Sequence, residues 1–402
     1  MKKIHLLIIF VFANTFCFSQ KPSTADFISD LEYFKNTLPQ KHTNLFKKIS
    51  KTEFENSVDK IALKAKQLNY ETFAAELFKL IVSIGDEHTR IEPPYTKILP
   101  IKFEIYKEGI FAIGVDSNAL GLLPAKLIAI NNHPIEEIIR RCKTVIQNKN
   151  NSYFEVYLLY FLNNPSFLKG INVIEDVDSA SFTLLSKDNQ LTTINLRSVP
   201  KGSIQSLPLL LAFKNTVANK QKDFYWYEYN AETKAIYFNY NTCRMMENLS
   251  FDKFNQTLFA TIDSYKPERI IVDLRENSGG NSGILQPFID SIKNSYLDKK
   301  GKLFVLIGKK TFSSALMNAV TLKRNTNAIL VGEPTSGNIN HYGEVRGFPL
   351  PRTGIIVGYS TKYWENWKGK IGPLIPDKKV IYSINDLNNN IDPATSMIYK
   401  DK

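Results

Sequence analysis

Apolar residues recur at helical spacing through the first quarter of the chain and at strand spacing after it. In "ETFAAELFKLIVSI", Phe73, Leu77, Leu80, Ile81 and Ile84 fall on one helical face. "TADFISDLEYFKNTL" has the same period, with Thr24 expected as its cap and Asp26 in its first turn. From about Leu99 to Val199 the period drops to two. "IKFEIY", "GIFAIGV", "AKLIAI", "SFTLLS" and "LTTINL" read as strands, with helices at "PIEEIIRRCKTVI" and "SYFEVYLLYFL". Between "AKLIAI" and the helix begun by Pro134 lies a tight turn at Asn131-Asn132; Asn132 stands where Gly would be easiest, and Asn is the next best residue for positive φ.

From Asp223 onward strand and helix alternate. The order is "AIYFNYN", "FDKFNQTLFATIDSY", "RIIVDL", "ILQPFIDSIKNSYL", "KLFVLIG", a helix beginning near "SSALMNAV", and "AILVG". "GIIVGYSTKYW" and "KKVIYS" return to strand. This alternation predicts a mostly parallel sheet with crossover helices. The fold class expected is α/β with a mixed α+β character, in four segments. These are a leader over 1–20, a helical domain over 21–95, a β-rich module over 96–222 and a sheet-and-helix domain over 223–402.

The leader changes where the chain is expected to work. "MKK" is a basic start, "IHLLIIFVFA" a short apolar run, and Ser19 a small residue before a cut near Gln20. The run is too short to span a bilayer, and no later run reaches that length. Export is therefore expected, to a periplasmic or secreted location. Phe16 before Cys17 is too bulky for the usual lipid-attachment site, which argues against a lipid anchor. The formal charge of +12 comes mostly from scattered lysines, without dense basic runs interleaved with aromatics. That pattern is a solvated surface and argues against nucleic-acid binding. Cys142 and Cys243 remain after the leader; a disulfide and two buried thiols are both open. Neither has metal-ligand spacing around it, and no metal or cofactor is expected.

In a sheet of this kind, sites gather at the carboxyl ends of strands. Two loops qualify. "DLRENSGGNSG" carries Gly279 and Gly280, which allow sharp turns and leave N–H groups free for an anion. "GKKTFSSALMNAV" carries Ser313 and Ser314 at the start of a helix. Ser313 read alone is an N-cap; read as a nucleophile, it would sit where the helix favours negative charge. A serine nucleophile needs a base. His42 and His133 lie in turns that read as surface, whereas His88 in "IGDEHTRIEP" and His341 in "SGNINHYGE" lie in loops beside strand or helix ends.

Taken together, these stretches resemble the serine peptidase family of C-terminal processing proteases, tricorn core proteases and retinoid-binding-protein repeats. "GDEHT" resembles its Asp-Gly-His-Thr segment, and "IIVDLRENSGG" its Asp-Leu-Arg-x-Asn-x-Gly-Gly strand end. "TFSSALMNAV" followed by "AILVGEPTSG" resembles its nucleophile helix and Gly-Glu-x-Thr-x-Gly block. "GLLPAKLIAINNHPIEEI" resembles its PDZ-like module, and the C-terminal domain would then be of the crotonase/Clp-like type.

The resemblance implies Ser313 as nucleophile, with Gly279 or Gly280 and Ser314 supplying the oxyanion N–H groups. Asn338 stands where the processing branch has its lysine, so the resemblance points to the tricorn-like branch, whose base falls on His88. That branch also uses a glutamate before a Pro-Asp pair, and upstream of Pro376-Asp377 this is Glu365. Leu316 replaces a glutamate often found three residues after the nucleophile. His341 is the alternative base. The function implied is hydrolysis of peptide bonds in a peptide or protein substrate. The competing reading is an inactive relative that binds extended peptides or apolar ligands.

Overall fold

A computed structural model describes residues 21–206, 220 and 223–400. The leader, with His5 and Cys17, lies outside the described residues. The chain opens on three helices, α1 (Thr24–Lys41), α2 (Lys51–Leu63) and α3 (Tyr70–Ile84). Ser23, and not Thr24, caps α1. Its hydroxyl accepts from Asp26 N–H while the Asp26 carboxylate accepts from Ser23 N–H, a reciprocal box that a cap one residue later would forfeit. The apolar stripe of α3 is buried throughout, and Gly85 ends the helix in the left-handed region at φ 72°.

A short strand β1 (Arg90–Glu92) follows, then a sheet built from β3 (Ile101–Tyr106), β4 (Gly109–Val115), β5 (Ala125–Ile130), β7 (Ser179–Leu185) and β8 (Leu191–Arg197). Minor strands β2 (Lys97–Ile98) and β9 (Val199–Pro200) pair with each other, and β6 (His133–Pro134) pairs with β5. Helices α4 (Ile135–Cys142), α5 (Asn151–Phe161) and α6 (Pro165–Gly170) join these strands. Asn132 adopts positive φ in the turn, as expected, and Asn131 before it does so too. One apolar cluster runs from Phe27 of α1 through this sheet to Tyr359, so the helical and β-rich segments share a core.

The second part holds β10 (Tyr225–Asn230), β11 (Ala235–Tyr240), β12 (Arg269–Asp273), β13 (Leu303–Ile307) and β14 (Ile329–Gly332), adjacent in that order. The pairs from β11 to β14 are parallel, as alternation with α7 (Phe251–Tyr265), α8 (Gln286–Lys293) and α9 (Ser313–Asn325) requires. A long hairpin of β15 (Asn340–Pro349) and β16 (Ile356–Glu365) leaves this sheet and pairs with β1. The strand β17 (Lys378–Lys379) closes the parallel edge, and α10 (Ile384–Asn388) and α11 (Pro393–Lys400) end the described chain. Cys142 and Cys243 are both buried free thiols in different apolar clusters. Among the described residues, no helix is long and apolar enough to cross a membrane.

Candidate active site

The two loops singled out in the sequence meet. The first leaves β12 and is held by Asn277, which is fully buried. Its side chain donates to Tyr240 O at 2.7 Å and accepts from Gly279 N–H at 2.9 Å, while its carbonyl accepts from Phe312 N–H at 3.2 Å. One asparagine thereby ties the sheet, the glycine loop and the segment before Ser313 together. Arg275 anchors the other side of the loop: its guanidinium bonds Asp273 at 2.6 Å and Asp392 at 2.7 Å, which fixes the loop to the segment preceding α11. Sequence reading overlooked Asn277, although it is the "N" of "DLRENSGG".

The glycines are required by space. Gly279 has φ 114°, and a Cβ there would lie 2.9 Å from Ser313 Cβ and 3.0 Å from Ser314 N. Gly280 has φ 136°, and a Cβ would lie 2.3 Å from Cys243 O. Gly279 N–H is already committed to Asn277. Among the described residues, no partner is found for Gly280 N–H or Ser314 N–H, so these two are the open donors. The Ser314 hydroxyl itself donates to Gly280 O at 2.6 Å.

Ser313 does not cap its helix. The cap position belongs to Phe312, which makes no side-chain cap bond, and Ser313 is the first residue of α9. Its φ is +48°, in the left-handed region that L-residues avoid at a cost of about 1–2 kcal/mol. Strain of this kind persists only where neighbours enforce it. Here Phe312 N–H is held by Asn277 and the Phe312 carbonyl by Ala315 N–H at 3.1 Å. The serine projects into a cleft of about 1570 Å³ whose lining includes His88, Gly280, Phe312 and Ser314. Leu316, the replacement for the family's glutamate, is buried against Gly337, where a Cβ would lie 2.8 Å from Leu316 Cδ2.

His88 comes from the turn after α3. Its ring stacks on Phe312 at 4.4 Å and 21°, and on His341 at 5.1 Å and 14°. Neither ring nitrogen has a hydrogen-bond partner, so no bond to Ser313 is formed. Burial, reinforced by His341 and Arg90 and opposed by Asp86, pushes His88 down to about 3, so the ring is neutral at ordinary pH. His341 is buried, its Nδ1 donates to Asn338 O at 2.8 Å, and burial lowers its basicity too.

Glu365 is not brought to this histidine. In the β15–β16 ladder His341 faces Trp364, and Asn340 faces Glu365. Adjacent residues of a strand point to opposite faces. Glu365 therefore lies on the face away from the His341–His88 stack, and it is exposed. His42 also departs from its expected surface role. It is buried, and its Nε2 lies 3.1 Å from Asp86. His133 stays half-buried beside Glu137. Asn338, in the family's lysine position, donates to Glu87 Oε1 at 2.8 Å. Burial pushes Glu87 up to about 7, and its Oε2 has no partner. Among the described residues, no cluster of His, Cys, Asp and Glu is placed to hold a metal ion.

The model of peptidase family S41 matches residues 289–377, from within α8 through α9 to Asp377. No curated protein sequence matches the chain. Mature CPAF complexed with lactacystin is similar in structure, with TM-score 0.66 and 12% identity over 94% of this chain and 97% of that one. Mature CPAF alone gives TM-score 0.63 and 13% identity over 93% and 96%. The photosystem II D1 C-terminal processing protease overlaps less well, at TM-score 0.41 and 12% identity over 89% and 93%.

Proposed function

We propose that this chain, whose residues 289–377 match the model of peptidase family S41 and whose fold is similar to that of mature CPAF, is an exported serine peptidase of the branch that uses histidine, not lysine, as base. Ser313 is the nucleophile. His88 takes its proton as Oγ attacks the peptide carbonyl. Gly280 N–H and Ser314 N–H receive the oxyanion. His88 then gives the proton to the leaving amine, and water releases the acyl group by the same route reversed. Asn338 cannot serve as the base, because an amide side chain has no basic nitrogen. The observation that carries this reading is the strained Ser313 at the head of α9, in the same cleft as His88 and the open Gly280 N–H.

Activity requires the His88 imidazole to turn toward Ser313 Oγ, a contact often loose without substrate. The two unpartnered ring nitrogens favour a second reading, an inactive relative that binds an extended peptide in the cleft. Peptide hydrolysis by the mature chain and by Ser313→Ala separates the two. The peptidase reading expects turnover that Ser313→Ala abolishes. Turnover undiminished in Ser313→Ala sinks the assignment, and peptide binding without any turnover selects the second reading.

A further inference from the structure

The Asp86 carboxylate is heavily engaged beside the cleft. It is buried, and four hydrogen bonds reach it from three separate parts of the chain. From its own turn come His88 N–H at 3.1 Å and Thr89 Oγ1 at 2.6 Å. From the middle of β16 comes Ser360 Oγ at 2.6 Å. From the end of α1 comes His42 Nε2 at 3.1 Å. The His42 tautomer is fixed by its other nitrogen, since Nδ1 accepts from Asn44 N–H at 2.9 Å. Nε2 must then carry the proton and donate to Asp86. Burial alone would raise the carboxyl, but the bonds from His42, Ser360 and Thr89 outweigh it and hold the group well below the usual carboxylate range.

An anion is thus locked two residues before His88, and the backbone that carries the imidazole hangs from it. Glu365 can do neither of these things from the far face of β16. We propose that Asp86, held by His42, is the acidic positioning residue of His88, in the role the family resemblance gives to Glu365. Asp86 acts through the turn and through its charge: it fixes where the ring stands and favours the imidazolium that forms when His88 takes the serine proton. The inference rests on the peptidase reading of Ser313 and His88.

Other charged and titratable groups act on the same site. Glu87 shares the turn, Arg90 lies on β1, His341 on β15, and the Lys48 ammonium binds Gly85 O. Arg90 and His341 both disfavour a protonated His88, and Asp86 opposes them. Removing the anion therefore makes His88 a weaker base and moves the acid limb of the rate profile to lower pH.

The test is steady-state peptide hydrolysis by the mature chain, with circular dichroism to confirm folding. Asp86→Asn keeps the shape and removes the charge. Its kcat is expected to fall about tenfold or more, with KM changed by less than about twofold. The acid limb should move down, the loss should exceed that of Glu365→Gln, and Asp86→Glu should restore part of it. If Asp86→Asn does not fold, His42→Phe and Ser360→Ala carry the test, with His42→Gln expected to retain more activity than His42→Phe. An unchanged kcat and acid limb in folded Asp86→Asn, or in both substitute variants, overturns the inference. A greater loss in Glu365→Gln than in Asp86→Asn does so as well. A wild-type chain that neither turns over peptide nor is acylated at Ser313 overturns the peptidase reading, and this inference with it.

Discussion

Ser313 carries its backbone at φ +48°, and nothing in the local sequence announces it. "TFSSALMNAV" reads as a capped helix because Ser before an apolar run usually is one. The difference comes from outside the segment, since Asn277 holds Phe312 and forces the turn one residue later. Strain at this position has a measurable consequence. Ser313→Gly should be more stable than Ser313→Ala by about 1 kcal/mol in denaturant unfolding, because Gly occupies this region without penalty. Both variants should be inactive.

Glu87 makes a second prediction at this scale. Its folded pKa of about 7 lies above the ordinary 4.5, so the folded state binds the proton more tightly than the unfolded chain does. The stability this provides is full below about 4.5 and is lost as pH rises through about 7. Glu87→Gln removes that loss. Relative to the wild type it should gain on the order of 2 kcal/mol between mildly acid and mildly alkaline solution, measured by unfolding at both pH values.

At the scale of elements, most of the pattern was legible. The period of 3.6 placed α3 and α7, and strand–helix alternation gave the parallel run from β11 to β14. Local chemistry wrote these directly. The direction Glu365 faces was not legible, because it depends on which register β16 adopts against β15. The His42–Asp86 pair was hidden for a similar reason: its members are brought together only when the end of α1 packs over the turn after α3. The glycine loop is the element on which the proposed chemistry depends most. Gly280→Ala would drive a Cβ to 2.3 Å from Cys243 O and displace the loop from Ser313. The expected outcome is a kcat about 100-fold lower or worse, the scale of losing one oxyanion donor, while far-ultraviolet circular dichroism stays near the wild type.

Across the whole molecule, the site is assembled from parts far apart in sequence. His88 belongs to the turn beside the core shared by the helical and β-rich segments, and Ser313 to the parallel sheet's domain. Asn150, which caps α5, also donates to the carbonyls of Thr335 at 3.1 Å and Ser336 at 2.7 Å, in the loop that leads to Asn338. Ser152 Oγ adds a bond to Pro334 O at 2.7 Å. These contacts dock the β-rich segment against the loop beside Ser313. Asn150→Ala should cost about 1–2 kcal/mol of stability from the cap and the two lost bonds. It should also lower kcat/KM for peptides, since the two halves of the site would no longer be held in register.

The claim at the centre of the account is that Ser313 is an activated nucleophile. Treating the mature chain with a fluorophosphonate and mapping the adduct by peptide mass spectrometry tests it most directly. A single adduct on Ser313 is expected, absent in Ser313→Ala and slowed in His88→Ala. A wild-type chain left unmodified at Ser313, or one labelled equally well without His88, would contradict it.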